Sequence, residues 1–275
     1  MSINSQPGIE GVLRAGGVLD RIVASKKDRL DRAKKEVPIE HLLTRVETRA
    51  ETARGVDFFE AITRKERVNI ISEIKRRSPS KGIIREQFDP EAIASSYERA
   101  GAAALSVLTE EDHFDGSLDH LMAARSAAAL PVLRKDFLFD PYQVYEAAAA
   151  GASAVLLIVA ILDDGLLKTL SELARSLGLA SLVEVHTEEE MERAIYAGAE
   201  IIGVNNRDLT SFNVDLNTSL RLARDAPPDV ALVSESGIRT RQEISALRGA
   251  GFDAFLVGEF LMSSQEPGEA LKALL

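Results

Sequence analysis

The chain has 275 residues, of which 45% are hydrophobic and none is cysteine, and its formal net charge is −10. This length and hydrophobic content fit one large α/β domain or two small ones. The lack of cysteine excludes disulfides, thiolate metal sites and a cysteine nucleophile, and the acidic balance argues against general binding to nucleic acid.

The sequence shows no stretch that predicts export or membrane insertion. Residues 1–8 lack the apolar run of a secretory signal, and the most apolar stretch, residues 147–162, is interrupted by Gly151 and Ser153. That stretch is also shorter than the roughly 20 apolar residues that a membrane-spanning helix needs. We therefore expect a soluble, cytoplasmic protein with no membrane partner.

Helical patterns come first along the chain. Residues 1–17 contain several glycines and predict a flexible tail. From Val18 the apolar residues recur at roughly helical spacing, and this helix is expected to close at Val37 and Pro38 because a residue before proline avoids the helical conformation. A second helical segment is predicted over residues 38–54.

A short turn completes this part of the chain. Asp57 is a suitable cap for a turn over residues 58–62. No heptad pattern is sustained, so a separate coiled coil is the weaker interpretation. We expect residues 18–65 to form extension helices docked on the main body, and residues 18–275 to form a single domain.

A repeated design begins after residue 68. Four alanine-rich helical segments end at a glycine and lead directly into a short apolar strand, and these glycines are Gly101, Gly151, Gly198 and Gly251. Glycine suits such positions because it adopts the left-handed conformation that ends a helix. Successive glycines are further apart than the roughly 30 residues of one strand–helix–strand unit, so another strand is expected in each interval.

The intervals do contain apolar strands. The chain then has eight predicted strands that alternate with helical segments, over residues 68–74, 104–108, 131–134, 154–158, 179–184, 201–204, 230–234 and 254–257. Short, continuously apolar strands separated by helices are typical of a parallel sheet, and eight such units predict a (βα)8 TIM barrel, an α/β fold. An open doubly wound sheet is the alternative, but the Gly-x-Gly-x-x-Gly turn that it normally carries after its first strand is missing.

Charged and polar side chains follow the predicted strands at their C-terminal ends. Glu73 and Lys75 lie two residues apart, so both point to the same face of the first strand and need pairing or water. In a barrel the strand ends meet at one mouth, which holds the active site. The groups that would converge there are Glu73, Lys75, residues 109–116, Lys135, Asp136, Phe137, Leu156, Ile158, Glu184, residues 205–208, residues 234–238, Gly258 and Glu259.

Any one of these charges alone is equally well explained as a solvated side chain or a structural ion pair. Convergence from six strands favours a functional site, because apolar layers suffice to close a barrel. Ser236, Gly237, Gly258 and Glu259 follow the last two strands, where barrels of this kind bind phosphate. The four histidines show no metal-ligand spacing, so no metal is expected.

Six segments, in the correct order, resemble the signature segments of the indole-3-glycerol phosphate synthase family. They are EIKRRSPS (73–80), LTEEDHFDGS (108–117), LRKDF (133–137), LVEVH (182–186), GVNNRDL (203–209) and SESGI (234–238). The resemblance implies a barrel enzyme without a cofactor that acts on 1-(2-carboxyphenylamino)-1-deoxyribulose 5-phosphate. Ring closure, decarboxylation and dehydration give indole-3-glycerol phosphate in tryptophan biosynthesis, the reaction of a carbon–carbon lyase.

The resemblance also implies catalytic roles. Lys135 matches the general acid of ring closure, and Glu184 matches the carboxylate that is given the base role. Lys75 matches a second lysine, placed either at the substrate carboxylate or as the acid of dehydration. Three further matches are residues that hold the lysines and the hydroxyls: Glu73, Asn205 and Glu235. Because nearby lysines lower each other's pKa, we expect easier proton donation from this pair.

The remaining matches predict how the substrate is bound. Arg207 matches a residue near the anthranilate carboxylate, and Ser78 belongs to a lid over residues 75–82 that we expect to be mobile and to order over the ligand. The apolar pocket is matched by Phe114, Leu156, Ile158, Leu209 and Phe212, and the phosphate cradle by Ser236, Gly237, Gly258 and Glu259. Some relatives have serine in place of Glu259, and a carboxylate beside phosphate is unfavourable unless it points away.

Two other functions are open at this point. A catalytically silent sugar-phosphate-binding barrel with a regulatory role would have no reason to keep Lys75, Lys135 and Glu184 together. A related barrel such as phosphoribosylanthranilate isomerase needs an acid–base pair of another layout and no second lysine. We expect a monomer that acts on a small sugar phosphate and has no nucleic-acid partner.

Overall fold

The computed structural model describes residues 10–50, 57–208 and 211–275, with side chains up to residue 48 in the first range. In these ranges the helices that precede the first strand are α1 (Gly17–Glu36), α2 (Ile39–Ala50) and α3 (Phe58–Ile62). Part of the predicted flexible tail over residues 1–17 and the predicted end of the second helix, residues 51–54, lie outside the described residues.

The ends of these helices follow from local chemistry. Val37 ends α1 with an extended backbone, φ −125° and ψ 95°, which is the conformation that the following proline favours. The side chain of Asp57 accepts the backbone N–H of Glu60 and thereby caps α3, as predicted. The apolar face of α1 packs against the barrel, and its buried apolar side chains are Leu19, Ile22, Val23 and Leu30.

Within the described residues, eight parallel strands close into one barrel, which confirms the predicted (βα)8 fold. The strands are β1 (Asn69–Ile74), β2 (Ala104–Leu108), β3 (Val132–Lys135), β4 (Ala154–Ile158), β5 (Ala180–Val185), β6 (Ile201–Asn205), β7 (Ala231–Glu235) and β8 (Ala254–Val257). Each strand pairs with the next, and β8 pairs with β1 to close the ring. The observed bounds differ from the predicted ones by no more than one residue at either end.

Six of the helices that follow the strands begin at a side chain that caps them. Such caps satisfy N–H groups that have no partner inside the helix, and they set where each loop at the barrel mouth ends. The capping residues are Asp89, Ser117, Asp140, Asp163, Thr187 and Thr240. The helices are α4 (Pro90–Ala100), α5 (Leu118–Ala127), α6 (Pro141–Ala150), α7 (Asp164–Ser176), α8 (Glu188–Tyr196), α9 (Asn217–Leu222), α10 (Arg241–Gly249), α11 (Glu259–Met262) and α12 (Pro267–Leu274). Among the helices described, none is long and apolar enough to cross a membrane.

The repeated glycines end helices as predicted. Gly101, Gly151, Gly198 and Gly251 all have positive φ angles, between 76° and 103°. This left-handed conformation is open to glycine without strain, and it turns the chain from each helix into the next strand.

The segment after β1 has more local structure than the loop that the sequence predicts. Arg77–Ser78 and Gly82–Ile83 form a short antiparallel hairpin in which Ser78 faces Gly82. Glycine suits position 82 of this turn because the backbone there has a φ of 69°, which glycine adopts without strain. The hairpin extends from the end of β1 over the mouth of the barrel, and its mobility stays a prediction.

Candidate active site

An open cavity of about 1210 Å³, measured out to the solvent, lies at the C-terminal mouth of the barrel. All predicted site residues that the structure describes line it, namely Glu73, Lys75, Ser78, Phe114, Lys135, Leu156, Ile158, Glu184, Asn205, Arg207, Phe212, Glu235, Ser236, Gly237, Gly258 and Glu259. Leu209 was predicted to join them but lies outside the described residues. Helix α1 adds Val18, Leu19 and Ile22 to the wall, a contribution that the sequence did not predict.

The floor of the cavity is a layer of charged side chains. Glu73, Lys135, Glu184 and Glu235 come from β1, β3, β5 and β7. Alternate strands build one layer of a barrel interior, so these four meet although they are far apart in the sequence. Nζ of Lys135 lies 3.0 Å from Oε2 of Glu184 and 3.3 Å from Oε2 of Glu235.

This layer raises the pKa of Lys135. Burial by itself lowers the pKa of an ammonium, but the negative charges of Glu184, Glu235 and Glu73 outweigh it, so the pKa of Lys135 is above its ordinary value. The expectation that crowding between lysines lowers the pKa is therefore wrong for Lys135. The nearest charges to this ammonium are carboxylates, and they keep it protonated across the physiological pH range.

The two carboxyl groups beside Lys135 have pKa values that move in opposite directions. Burial raises the pKa of Glu184, but the charges of Lys135 and His186 and a hydrogen bond from Asn205 have a larger, opposite effect. The pKa of Glu184 is therefore below its ordinary value. For Glu235, burial and the repulsion of Glu184 and Glu73 outweigh the attraction of Lys135 and raise the pKa to about 8. At neutral pH the pair therefore offers one carboxylate, on Glu184, and one protonated carboxyl, on Glu235.

Two glycines make room for these carboxyl groups. A Cβ atom on Gly203 of β6 would overlap the carboxyl of Glu235, and a Cβ on Gly258 would overlap that of Glu73. The sequence placed Gly258 in the phosphate cradle, and the structure gives it this additional contact. Oε1 of Glu73 accepts a hydrogen bond from Nζ of Lys75 at 2.5 Å, so the pair recognised at the end of the first strand does form.

The upper wall of the cavity has an apolar part. The rings of Phe114 and Phe137 lie 6.2 Å apart between centroids, and Leu156 and Ile158 are buried at the end of β4. Phe212 has a positive φ of 60°, which is unusual for a residue with a side chain and marks a position held by its surroundings. These residues come from different loops and present a surface suited to an aromatic ring.

The loops after β6 and β7 approach each other beside this apolar part. The guanidinium of Arg207 donates to the backbone carbonyl of Phe212 at 3.4 Å, and its backbone N–H donates to Oδ1 of Asn205 at 3.0 Å. Ser236 and Gly237 have consecutive positive φ angles of 67° and 86°. Successive residues of this kind turn backbone N–H groups toward one side, which is a geometry that suits anions.

The side chain of Glu259 is held by cations and does not stand free in the solvent. Its carboxylate lies 2.8 Å from Nζ of Lys81, 3.3 Å from the guanidinium of Arg207 and 3.8 Å from that of Arg239. Burial raises the pKa of Glu259, but the hydrogen bond from Lys81 and the charges of Lys81, Arg207 and Lys75 reverse this, so the pKa is lowered. The repulsion expected between this carboxylate and a bound phosphate is thus offset by three positive charges.

A buried ionic network lies behind Lys135. The carboxylate of Asp136 accepts hydrogen bonds from Lys26 at 2.8 Å, Thr109 at 2.6 Å and Arg134 at 3.0 Å. Because Lys26 belongs to α1, the network ties the N-terminal helix to the strand that carries Lys135. The sequence placed Asp136 at the mouth but did not identify Lys26, since the two residues are 110 positions apart.

The sequence also missed His186. Its ring lies between two carboxylates, with Nε2 at 3.4 Å from Oε1 of Glu184 and Nδ1 at 3.1 Å from Oε2 of Glu190. The available signal was its position in the segment LVEVH, two residues after Glu184 and therefore on the same side of the strand. In the part of the chain that the structure describes, no group of three or more His, Cys, Asp or Glu side chains could hold a metal ion.

Comparison with families of known proteins adds a finding to this geometry. A sequence model described as indole-3-glycerol phosphate synthase matches residues 19–274. A relative of that name from Carboxydothermus hydrogenoformans is 45% identical over 263 residues, covering 94% of this chain and 99% of its own. Another, from Ruminiclostridium cellulolyticum, is 48% identical over 261 residues, covering 94% and 98%.

Solved structures of lower similarity share the fold alone. The 3-hexulose-6-phosphate synthase from Salmonella typhimurium superposes with a TM-score of 0.62 at 12% identity, over 75% of this chain and 96% of that one. A thiamine phosphate pyrophosphorylase from Pyrococcus furiosus gives a TM-score of 0.58 at 18% identity, over 75% and 93%. Both likenesses agree with the observed barrel.

Proposed function

The chain belongs to the indole-3-glycerol phosphate synthase family, and from that premise we propose how its residues carry out the family's reaction. The enzyme closes the ring of 1-(2-carboxyphenylamino)-1-deoxyribulose 5-phosphate, releases CO2 and water, and forms indole-3-glycerol phosphate for tryptophan biosynthesis. In this proposal Lys135 and Glu184 are the acid and the base. The observation that carries it is their contact at 3.0 Å on the floor of a cavity with an apolar wall.

In ring closure the aromatic carbon that bears the carboxylate attacks the ketone carbon. The ketone oxygen gains negative charge as the new bond forms and needs a proton. Lys135 donates it, because its raised pKa keeps the ammonium protonated. Loss of CO2 then returns a pair of electrons to the ring and restores its aromaticity.

In dehydration the hydroxyl formed from the ketone takes up a second proton and leaves as water. A proton is lost from the new five-membered ring in the same step. Glu184 takes the ring proton, because its lowered pKa keeps it ionised. Two residues are candidates for the acid that protonates the hydroxyl. Lys75 is one, held by Glu73 at 2.5 Å, and its other possible role is to bind the substrate carboxylate. Glu235, protonated near neutral pH, is the second.

The substrate is held by the walls of the cavity. We assign the aromatic ring to the apolar pocket of Phe114, Leu156, Ile158 and Phe212, and its carboxylate to Arg207. The phosphate lies at the turns of Ser236 and Gly237 and of Gly258 and Glu259, with Ser78 in the lid above. The consecutive positive φ angles at Ser236 and Gly237 support this assignment.

The deciding experiment supplies the carboxyphenylamino sugar phosphate to the purified chain and follows indole fluorescence. Product formation at a rate that depends on Lys135 and Glu184 is expected. If a substrate analogue binds and no product forms, the chain is a silent sugar-phosphate-binding barrel and the proposed roles are wrong.

We also propose that the enzyme works as a monomer in the cytoplasm. The proposal is supported by the closed barrel, in which each of the eight described barrel strands is paired on both sides, and by the formal net charge of −10. Light scattering on the purified protein tests it, since a mass of two or more chains would contradict a monomer.

A further inference from the structure

His186 belongs to none of the roles assigned above, yet its ring contacts the proposed base. It follows β5 directly, and 13% of its side chain is exposed. The contacts on its two nitrogens are both carboxylates, Glu184 on one side and Glu190 of α8 on the other. A doubly protonated ring between two carboxylates can donate one N–H to each of them.

The contacts on Nδ1 assign its proton. Oε2 of Glu190 accepts the backbone N–H of His186 at 2.7 Å and also lies 3.1 Å from Nδ1. An ionised carboxylate oxygen can only accept hydrogen bonds, and it can accept more than one. The ring nitrogen beside it is therefore the donor, so Nδ1 carries a hydrogen. Nε2 then faces Oε1 of Glu184 at 3.4 Å, and among the described residues this buried nitrogen has no hydrogen-bond partner.

Two electron pairs would face each other across that gap if His186 were neutral. A lone pair on Nε2 repels a carboxylate oxygen, whereas a proton on Nε2 attracts it. The acidic groups around the ring act in the same direction: Glu184 of β5 and Glu190 of α8 as carboxylates, and Glu235 of β7 in its ionised form, which is the minor one at neutral pH. Burial lowers the pKa of His186, but the hydrogen bond with Glu190 and the charges of Glu184 and Glu190 outweigh burial and raise the pKa.

The two oxygens of Glu184 thus have different partners. Oε2 accepts from the ammonium of Lys135 at 3.0 Å, and Oε1 faces the ring of His186. With both oxygens occupied by cations, the carboxylate has one orientation and stays ionised. Without His186, Oε1 would lose the cation that faces it, which favours uptake of a proton there and loss of the base form.

We propose that His186 is a positioning residue for the reaction, and that in its protonated form it binds Oε1 of Glu184 and keeps that carboxylate oriented and ionised for its work as the base. Glu190 holds His186 in this state from the outer side. The proposal rests on the proposed function, because it acts through the role given to Glu184. It predicts that turnover depends on the charge of a histidine that does not touch the substrate.

The experiment compares His186→Gln and His186→Leu with the parent chain. Leucine removes both the charge and the donor, so kcat should fall by about tenfold or more while KM stays within about twofold, as for loss of a hydrogen bond to a charged group. Glutamine restores a neutral hydrogen-bond donor and should recover part of kcat. In both variants, the pH profile of kcat should lose the ionisation that belongs to His186. His113→Gln is the matched control, because His113 also pairs with a nearby acid, Glu110, but has no contact with Glu184.

A second measurement needs no turnover. Proton–nitrogen NMR of the four histidine rings should show one, absent from His186→Gln, that titrates above the ordinary histidine range, and Glu190→Gln should move it down. A His186 that titrates in or below the ordinary range would overturn the proposal. A parent-like kcat and pH profile in His186→Leu would also overturn the proposal. If Glu184→Gln is inactive in that same assay, only the role of His186 is wrong and the proposed function stands.

Discussion

The ammonium of Lys135 lies 3.0 Å from Oε2 of Glu184, so the proposed acid and the proposed base of the reaction are in contact across the barrel floor. Each stabilises the charged form of the other, because an opposite charge nearby raises the pKa of an ammonium and lowers that of a carboxylate. Both are therefore in the protonation state that their roles require.

Loss of either group should abolish most of the turnover. Lys135→Ala and Glu184→Gln are each expected to lower kcat by about 10²- to 10⁴-fold, the usual contribution of a positioned acid or base. The double variant should be little worse than either single one, because the two act as a unit. Indole fluorescence measures the rate and circular dichroism checks the fold. Parent-like turnover in either single variant would contradict the roles.

The raised pKa of Glu235 predicts a loss of stability at high pH. A carboxyl that titrates at about 8 in the folded chain and near 4.5 when unfolded binds its proton more tightly in the folded state. The free energy of unfolding therefore decreases as the pH rises from about 4.5 to about 8. Glu235→Gln removes the ionisable carboxyl and with it this loss of stability. At about pH 8 the variant should therefore have a higher free energy of unfolding than the parent, by on the order of a few kcal/mol.

Urea titrations of both chains at about pH 5 and about pH 8 measure this difference. The gain should be confined to the higher pH, where the parent has a buried negative charge. A gain of the same size at both pH values would mean that packing, and not ionisation, explains it.

The cations around Glu259 predict that its carboxylate competes with the phosphate of the substrate. Lys81, Arg207 and Arg239 neutralise Glu259 in the free chain, and without Glu259 the cations Lys81 and Arg239 would be available to the phosphate. Glu259→Gln should lower KM several-fold and also tighten binding of inorganic phosphate, and added salt should reduce both effects. Lys81→Ala should raise KM. An unchanged KM and phosphate affinity in Glu259→Gln would mean that these cations do not reach the phosphate.

The Lys26–Asp136 pair predicts that α1 stabilises the barrel through a buried charge. The side chains of Lys26 and Asp136 are 5% and 0% exposed, and without Lys26 the buried Asp136 keeps only Arg134 and Thr109 as partners. We expect a loss that is smaller than the about 3 to 5 kcal/mol for a buried charge left with no partner, but larger than that for a surface pair. Lys26→Met should therefore lower the urea midpoint strongly. Lys34→Met is the matched control on the same helix: its pair with Asp140 lies near the surface and should contribute less than about 1 kcal/mol. A similar loss of stability in Lys26→Met and Lys34→Met would contradict the larger contribution expected of the buried pair.

The segment over residues 75–82 is expected to move in the free enzyme and to order over a bound ligand. Its hairpin is only two residues long on each side, and Lys81 reaches Glu259 from it. Limited proteolysis should cleave this segment more slowly when a substrate analogue is bound. Cleavage at the same rate with and without the analogue would count against a lid.

Much of this molecule could be predicted because the relevant signals are local. Apolar runs of four to six residues set the strands, glycines with left-handed backbones set the helix ends, and the side chains that follow the strands come to the mouth of the barrel. The described members of the predicted site therefore line one cavity. The contribution of Val18, Leu19 and Ile22 could not be predicted, since an amphipathic helix does not specify which surface it covers.

The sequence by itself determined the barrel, the family and the set of side chains at its mouth. Only the tertiary structure decided which of those side chains touch, and with that their charge states. Lys135 and Glu184 are 49 positions apart, yet the pKa of each depends on the 3.0 Å between Nζ and Oε2. Electrostatic interactions decrease with distance in space and not along the chain, so the expected lowering of the Lys135 pKa was wrong in direction while the residue itself was found.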